Sequence, residues 1–356
     1  VLALPQSQQV NHSNIGMEKA IGNTPLKRST FLSEKYRRNI YLKYEGCNPG
    51  GSSKDRIASF IIKSGYDNGL IHEDTTVVEA SSGNTAIGLA MICQQKGLKF
   101  RVYVSKKCSN EKLKVLQGYS AEIILVDQSG GPELVGSTQY LAKQYCANIP
   151  NTFYCDQYFN PLNVEAHFQM TGPEIWRQTH GSITHFICGI GTGGTISGVG
   201  RYLKMKNPKI RIIGVEPIGS ILKYFFYNHE LDPKGAGKYL VEGIGKEFVP
   251  GCLHIESIDE IIQVADSESA RAAHQLKSGT GYAPGFSGGA VCAGLGELAD
   301  SLPINAKVVL LMADHGERYL SKLYNAEWLE ANGLEIDIFK RGVPSSSKPQ
   351  NSYRYV

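Results

Sequence analysis

Four glycine- or hydroxyl-rich turns carry the residues of this chain best suited to chemistry. In residues 48–56 (NPGGSSKDR), Lys54 closes a flexible turn just ahead of an amphipathic stretch, 55–69. An amine held there is a candidate nucleophile. Alone, a lysine flanked by Asp55 and Arg56 reads as a solvated charge at a helix start, so its meaning depends on its company. In residues 77–85 (VVEASSGNT) an apolar strand runs into Ser81, Ser82, Gly83, Asn84 and Thr85, which open a helical stretch. Free backbone N–H groups at such a helix start suit a carboxylate or phosphate, although simple capping uses the same residues.

The run 189–195 (GIGTGGT) follows another apolar strand. Gly191, Gly193 and Gly194 let backbone amides approach an anion closely, and Thr192 and Thr195 add hydroxyl donors. Residues 285–290 (GFSGGA) place Ser287 ahead of the small-residue run 291–295, where a ligand ring could lie against a helix start; close helix packing would use the same residues. A rival reading also exists. Gly189, Gly191 and Gly194 satisfy a dinucleotide-binding GxGxxG pattern, and Glu216 ends the next strand where a ribose-binding acid would stand. That oxidoreductase reading gives no role to Lys54 or to residues 81–85, and a complete α/β block precedes the turn where such a fold usually begins.

The elements that must position these turns alternate. Strand-like runs at 76–80, 100–104, 122–126, 185–189, 211–215 and 308–312 are separated by helical patterns such as 86–96 and 111–117. Several strands are apolar throughout, which predicts parallel sheets covered on both faces and an α/β fold. A turn-rich connection at 159–163 divides two blocks, roughly 48–160 and 162–330, with a cleft expected between them. The polar segments 1–14 and 342–356 read as flexible tails.

Bulk properties narrow the function. The 356 residues can build one large or two medium cores. Thirty-seven basic and thirty-three acidic residues leave a dispersed charge of +4, so nucleic acid is not an expected partner. No apolar run approaches a membrane span and no signal peptide is evident, so a soluble, cytoplasmic protein is expected. The eight cysteines are scattered without metal-ligand spacing, which predicts no metal site and no disulfide framework.

With these residues assembled, the chain resembles the fold type II pyridoxal-phosphate enzymes, related to the tryptophan synthase β-chain, and within them the cystathionine β-synthase and cysteine synthase group. The likeness runs from about residue 21 to 334. It rests on the combination of 21–26 (IGNTPL), 48–56, 81–85, 156–158 (DQY) with 171–175 (TGPEI), 191–195, 242–245 (EGIG) and 285–290. The resemblance implies two three-layer α/β domains with the cofactor in the cleft: a large one from 15–47 plus 162–334, and a smaller mobile one, 48–161.

The resemblance further implies that Lys54 forms the Schiff base with pyridoxal 5'-phosphate and later takes the substrate α-proton. Gly191, Thr192, Gly193, Gly194 and Thr195 would bind the cofactor phosphate, Asn84 the ring's 3-oxygen, and Ser287 would face the pyridine nitrogen. Ser81, Ser82, Gly83 and Thr85, with Gln157, would grip the substrate carboxylate. Glu242 and Gly243 would border the second substrate. The implied activity is β-replacement on serine or an activated serine through an aminoacrylate, in a homodimer acting on small amino acids. Residues 238–250, 219–222 and 318–329 lean toward cystathionine β-synthase. Residues 314–319 are similar to cysteine synthases and diaminopropionate synthases, so sulfide and amine nucleophiles stay open, as does the leaving group. Ser81 stands where the family usually has threonine, and Lys246 where eukaryotic cystathionine synthases have tyrosine. With no cysteine before Gly22, heme is not expected; nor is a regulatory domain pair after Leu334.

Overall fold

A computed structural model describes residues 16–334 apart from 107, 128–130, 132 and 233; the expected tails, 1–14 and 342–356, lie outside the described residues. Ten strands form two sheets: β1 (Leu26–Arg28), β2 (Asn39–Tyr44), β3 (Thr76–Ala80), β4 (Lys99–Ser105), β5 (Glu122–Val126), β6 (Thr152–Tyr154), β7 (His185–Gly189), β8 (Arg211–Pro217), β9 (Glu260–Val264) and β10 (Lys307–Met312). The larger sheet has the order β1-β2-β10-β7-β8-β9, and the smaller one β5-β4-β3-β6. Every pairing is parallel except β1 with β2. The fold class is α/β.

Why the strands read as continuous apolar runs is clear from the two faces of the larger sheet. Ile187, Ile213, Val308 and Leu310 enter one core cluster, while their neighbours Phe186, Ile212, Val309 and Leu311 enter another. Successive side chains point to opposite faces, so a strand covered by helices on both sides needs apolar residues at every position. The smaller sheet divides likewise, with Val77 and Val102 on one side and Val78 and Tyr103 on the other.

Two of the functional turns leave the carboxyl ends of parallel strands, where ligands collect in open α/β sheets. β3 leads into residues 81–83 and the helix Asn84–Lys96, and β7 leads into 190–193 and the helix Gly194–Lys206. β10 ends beside the lysine turn: Ser53 N donates to Ala313 O at 2.9 Å, and Ser52 bridges to Asp314. Lys54 is the first residue of the helix Lys54–Asp67.

That helix start is not solvated. Asp55 and Arg56 are fully buried, against the expectation for an isolated Lys-Asp-Arg sequence. Arg56 Nε lies 2.6 Å from Glu45 Oε2 and Nη1 lies 2.8 Å from Glu174 Oε1, while Lys43 Nζ meets Glu174 Oε2 at 2.7 Å. Two cations and two carboxylates neutralise one another and satisfy one another's hydrogen bonds, the condition under which buried charge is tolerated. The Arg56 guanidinium beside it holds Glu45 down at about 2 despite burial.

Candidate active site

Lys54, residues 81–85, Gly191–Gly193 with Thr195, and Ser287 all border one cavity of about 410 Å³. Gln157, Glu242 and Gly243 border it too. Of the residues expected from sequence, Gly194 alone is absent from its wall; it sits directly behind the turn. Lys54 Nζ is 3.3 Å from Ser53 Oγ. Burial pulls its ammonium below the ordinary lysine range, only partly opposed by the Asp314 carboxylate. An amine so placed spends more time neutral, as a nucleophile or proton acceptor requires.

The Ser81–Thr85 turn is held by its own side chains. Ser81 Oγ accepts from Gly83 N at 3.2 Å, and Ser82 Oγ accepts from Ser105 N at 2.8 Å. Thr85 Oγ1 donates to Gln157 Oε1 at 2.6 Å, and Gln157 Nε2 donates to Ala80 O at 3.3 Å. Residues 72 positions apart therefore form one wall. Beneath them Glu79 is fully buried, and burial pushes its carboxyl up to about 8 although Ala80 N and Gln157 N donate to it.

The second turn needs its glycines. Gly193 has φ +87°, and a Cβ there would lie 2.6 Å from Leu253 Cα. A Cβ on Gly191 would sit 2.3 Å from Gly243 O, and one on Gly194 2.0 Å from Asn163 Oδ1. Thr192 Oγ1 accepts from Gly194 N and from Asn163 Nδ2, which braces the turn. Thr195 is backed by His167, whose Nε2 is 3.1 Å from Thr195 Oγ1 and whose Nδ1 is 2.9 Å from Thr171 Oγ1. Burial, reinforced by Lys54 and Arg56, pushes His167 down to about 3, leaving a neutral ring.

Ser287 lies in the first turn of the helix Phe286–Leu298 and is 5% exposed. Glu242 is engaged on both oxygens, paired with Lys112 and Lys322. These lysines hold its carboxyl below the usual range against burial. Lys246, which also borders the cavity, donates to Tyr158 Oη at 3.2 Å. Sequence reading gave no site role to Lys112, Asp314 or Arg318, although residues 314–319 entered it as a family-like segment. Lys112 comes from a separate helix, and only the fold shows what Asp314 and Arg318 touch.

The alternative dinucleotide pattern lacks its acid. Glu216 is fully buried, accepts from Ser220 Oγ and Gln263 Nε2, and takes the backbone N–H groups of Leu222 and Lys223. It does not border the cavity.

Comparison with known proteins agrees with this geometry. Residues 17–314 match the sequence pattern of the family described as "Pyridoxal-phosphate dependent enzyme". The chain belongs to that family. Within it the relatives include cystathionine β-synthases, cysteine synthases and an N-(2-amino-2-carboxyethyl)-L-glutamate synthase of Ralstonia nicotianae. The chain is 39% identical to cystathionine beta-synthase of Apis mellifera over 88% of its own length, but spans only 62% of that protein. It is 34% identical to cysteine synthase 1 of Emericella nidulans, covering 91% of this chain and 88% of that one. The crystal structure of an O-acetylserine dependent cystathionine beta-synthase from Helicobacter pylori superposes with TM-score 0.78 at 35% identity, covering 86% of this chain and 97% of that one.

Pyridoxal phosphate is thus the family's cofactor, and the residues present fit it. The cavity offers a depressed lysine amine and, across it, a glycine cradle too tight for any Cβ, opening the 13-residue helix Gly194–Lys206. Such a helix start with free N–H groups suits a phosphate. Among the described residues no cluster of three His, Cys, Asp or Glu side chains could hold a metal ion, and no helix is long and apolar enough to cross a membrane.

Proposed function

We propose that this protein catalyses pyridoxal-phosphate-dependent β-replacement on serine or an activated serine, as a cystathionine β-synthase joining L-serine and L-homocysteine into L-cystathionine. The observation that carries β-replacement is the convergence of Lys54, the Ser81–Thr85 turn with Gln157, and the Gly191–Thr195 turn on a single cavity, while the choice of cystathionine rests on the likeness of residues 238–250, 219–222 and 318–329 to cystathionine β-synthases. When bound, the cofactor takes up the substrate amine and draws electrons from the bonds at Cα.

The chain's own residues do the rest. The amides of Gly191 through Thr195 hold the phosphate. The Thr85–Gln157 pair and the hydroxyls and amides of Ser81, Ser82 and Gly83 grip the substrate carboxylate and fix its Cα over Lys54. Lys54, with its amine free, would accept the Cα proton as general base, and its lowered basicity would suit it to release that proton again. Ser287 offers the ring nitrogen a neutral hydroxyl and adds no charge that would keep a proton there, a bias toward β-elimination over transamination. Residues 48–161 act as a smaller domain closing on the unit formed by 15–47 and 162–334, which expels water from the site. The working form is a homodimer.

Cysteine synthase is the second reading. Glu242, part of the segment that leaned toward cystathionine, has its charge offset by Lys112 and Lys322, which weakens its pull on a second substrate's amine. Supplying serine, O-acetylserine or O-phosphoserine with homocysteine, sulfide or an amine, and identifying products by mass, separates these readings. Cystathionine as the fastest product supports the first and cysteine the second. No product from any pair would sink β-replacement itself, and Lys54→Ala should abolish every product.

A further inference from the structure

Asn84 opens the helix Asn84–Lys96 and borders the cavity. An asparagine amide can point either way, and its neighbours must decide which end is nitrogen. Here they are opposites. Asn84 Nδ2 donates to Asp314 Oδ2 at 2.7 Å, and Arg318 Nη1 donates to Asn84 Oδ1. An ionised aspartate only accepts hydrogen bonds and an arginine only donates them, so one orientation alone satisfies both.

The clamp is itself held. Asp314 is 1% exposed, and its Oδ2 also receives Tyr319 Oη at 2.7 Å. Its Oδ1 has no hydrogen-bond partner and lies where a Cβ on Gly285 would come within 1.8 Å. Arg318 reaches across to donate to Gly50 O in the lysine turn. Residues after β10 thereby tie the Lys54 turn and the Asn84 amide into one unit.

We propose that Asp314 and Arg318 are positioning residues that lock the Asn84 amide so that its second N–H, never its oxygen, faces the cofactor. This rests on the reading that Asn84 meets the ring's phenolic oxygen. An N–H donor stabilises that oxygen as its anion, whereas an amide oxygen there would require it to be protonated. Asp314 and Arg318 therefore act on the cofactor's ionisation through the Asn84 amide.

The test is a pH titration of the holoenzyme's visible absorption for the wild type, Asp314→Ala, Asn84→Ala and the double variant. Relative to its effect in the Asn84→Ala background, where only the lost charge acts, Asp314→Ala should raise the midpoint at which the phenolic oxygen is protonated by about one pH unit, the worth of one net hydrogen bond. In the Asn84→Ala background the same substitution should not raise the midpoint, because the hydrogen-bond effect passes through that amide and only the lost charge, which lowers the midpoint, remains. Asp314→Asn, whose carbonyl can still accept, should restore most of the wild-type midpoint. If Asp314→Ala fails to fold, Arg318→Met enters the same cycle with the same expected difference between backgrounds. A shift of the same size with and without Asn84 in the folded variants would overturn the clamp while leaving β-replacement intact. Failure of β-replacement with the shifts intact would do the reverse.

Discussion

At the residue scale the site depends on groups whose ionisation burial has moved. Glu79 is the clearest. Its carboxyl titrates near 4.5 in an exposed setting but is pushed up to about 8 inside β3, beneath the Ser81–Thr85 turn. Between those values the folded protein holds a proton that the unfolded chain has released. Folding takes up a proton across that window, so this group's contribution to stability falls as pH rises from about 4.5 to about 8, and it is constant below and above. Glu79→Gln keeps the neutral hydrogen-bonding shape and removes the proton. Urea unfolding at about pH 5 and about pH 8.5 should show the variant losing less stability than wild type, by about 1.4 kcal/mol for each pH unit of the window. Equal pH slopes would mean that Glu79 is ionised in the fold.

At the element scale the decisive parts are strand ends and the turns they launch. These were legible in the sequence wherever a mostly apolar strand ran into a glycine-rich turn, as at β3 and β7. The small edge strands were not: β1 and β6 have three residues each, too few to set a pattern, and β9 mixes Glu260 and Gln263 into its apolar run. The clamp on Asn84 was equally hidden, because Asp314 and Arg318 lie more than two hundred positions away, at separations of 230 and 234. One element carries a sharp prediction. Gly193→Ala forces a side chain into a positive-φ turn and against the Leu253 backbone. Strain of about 1–3 kcal/mol falls on the turn proposed to hold the phosphate, so cofactor affinity, measured by fluorescence titration of the apoenzyme, should weaken roughly tenfold or more. Unchanged affinity would show that the phosphate is bound elsewhere.

At the scale of the whole molecule, the lysine helix is rooted in the larger sheet's unit through Arg56, Glu45, Glu174 and Lys43. The sequence offered Arg56 as surface charge because neighbours in sequence say nothing of carboxylates brought in from elsewhere in the chain; once both are in place, burial is affordable. Arg56→Ala leaves two carboxylates without their main partner and should cost about 3–5 kcal/mol of stability, read as a fall in unfolding midpoint. The cofactor's visible band should be lost in the same transition, since the lysine turn and the ion cluster share a helix. Two separate transitions would show that the site does not depend on this anchor. Everything above turns on Lys54 being the residue that carries pyridoxal phosphate, in a cavity that Lys112 and Lys246 also border. Borohydride reduction of the yellow holoenzyme, followed by peptide mass mapping, tests this directly. The expected result is one pyridoxyl-phosphate addition on the peptide containing Lys54; addition at Lys112 or Lys246, or at no lysine, would contradict it.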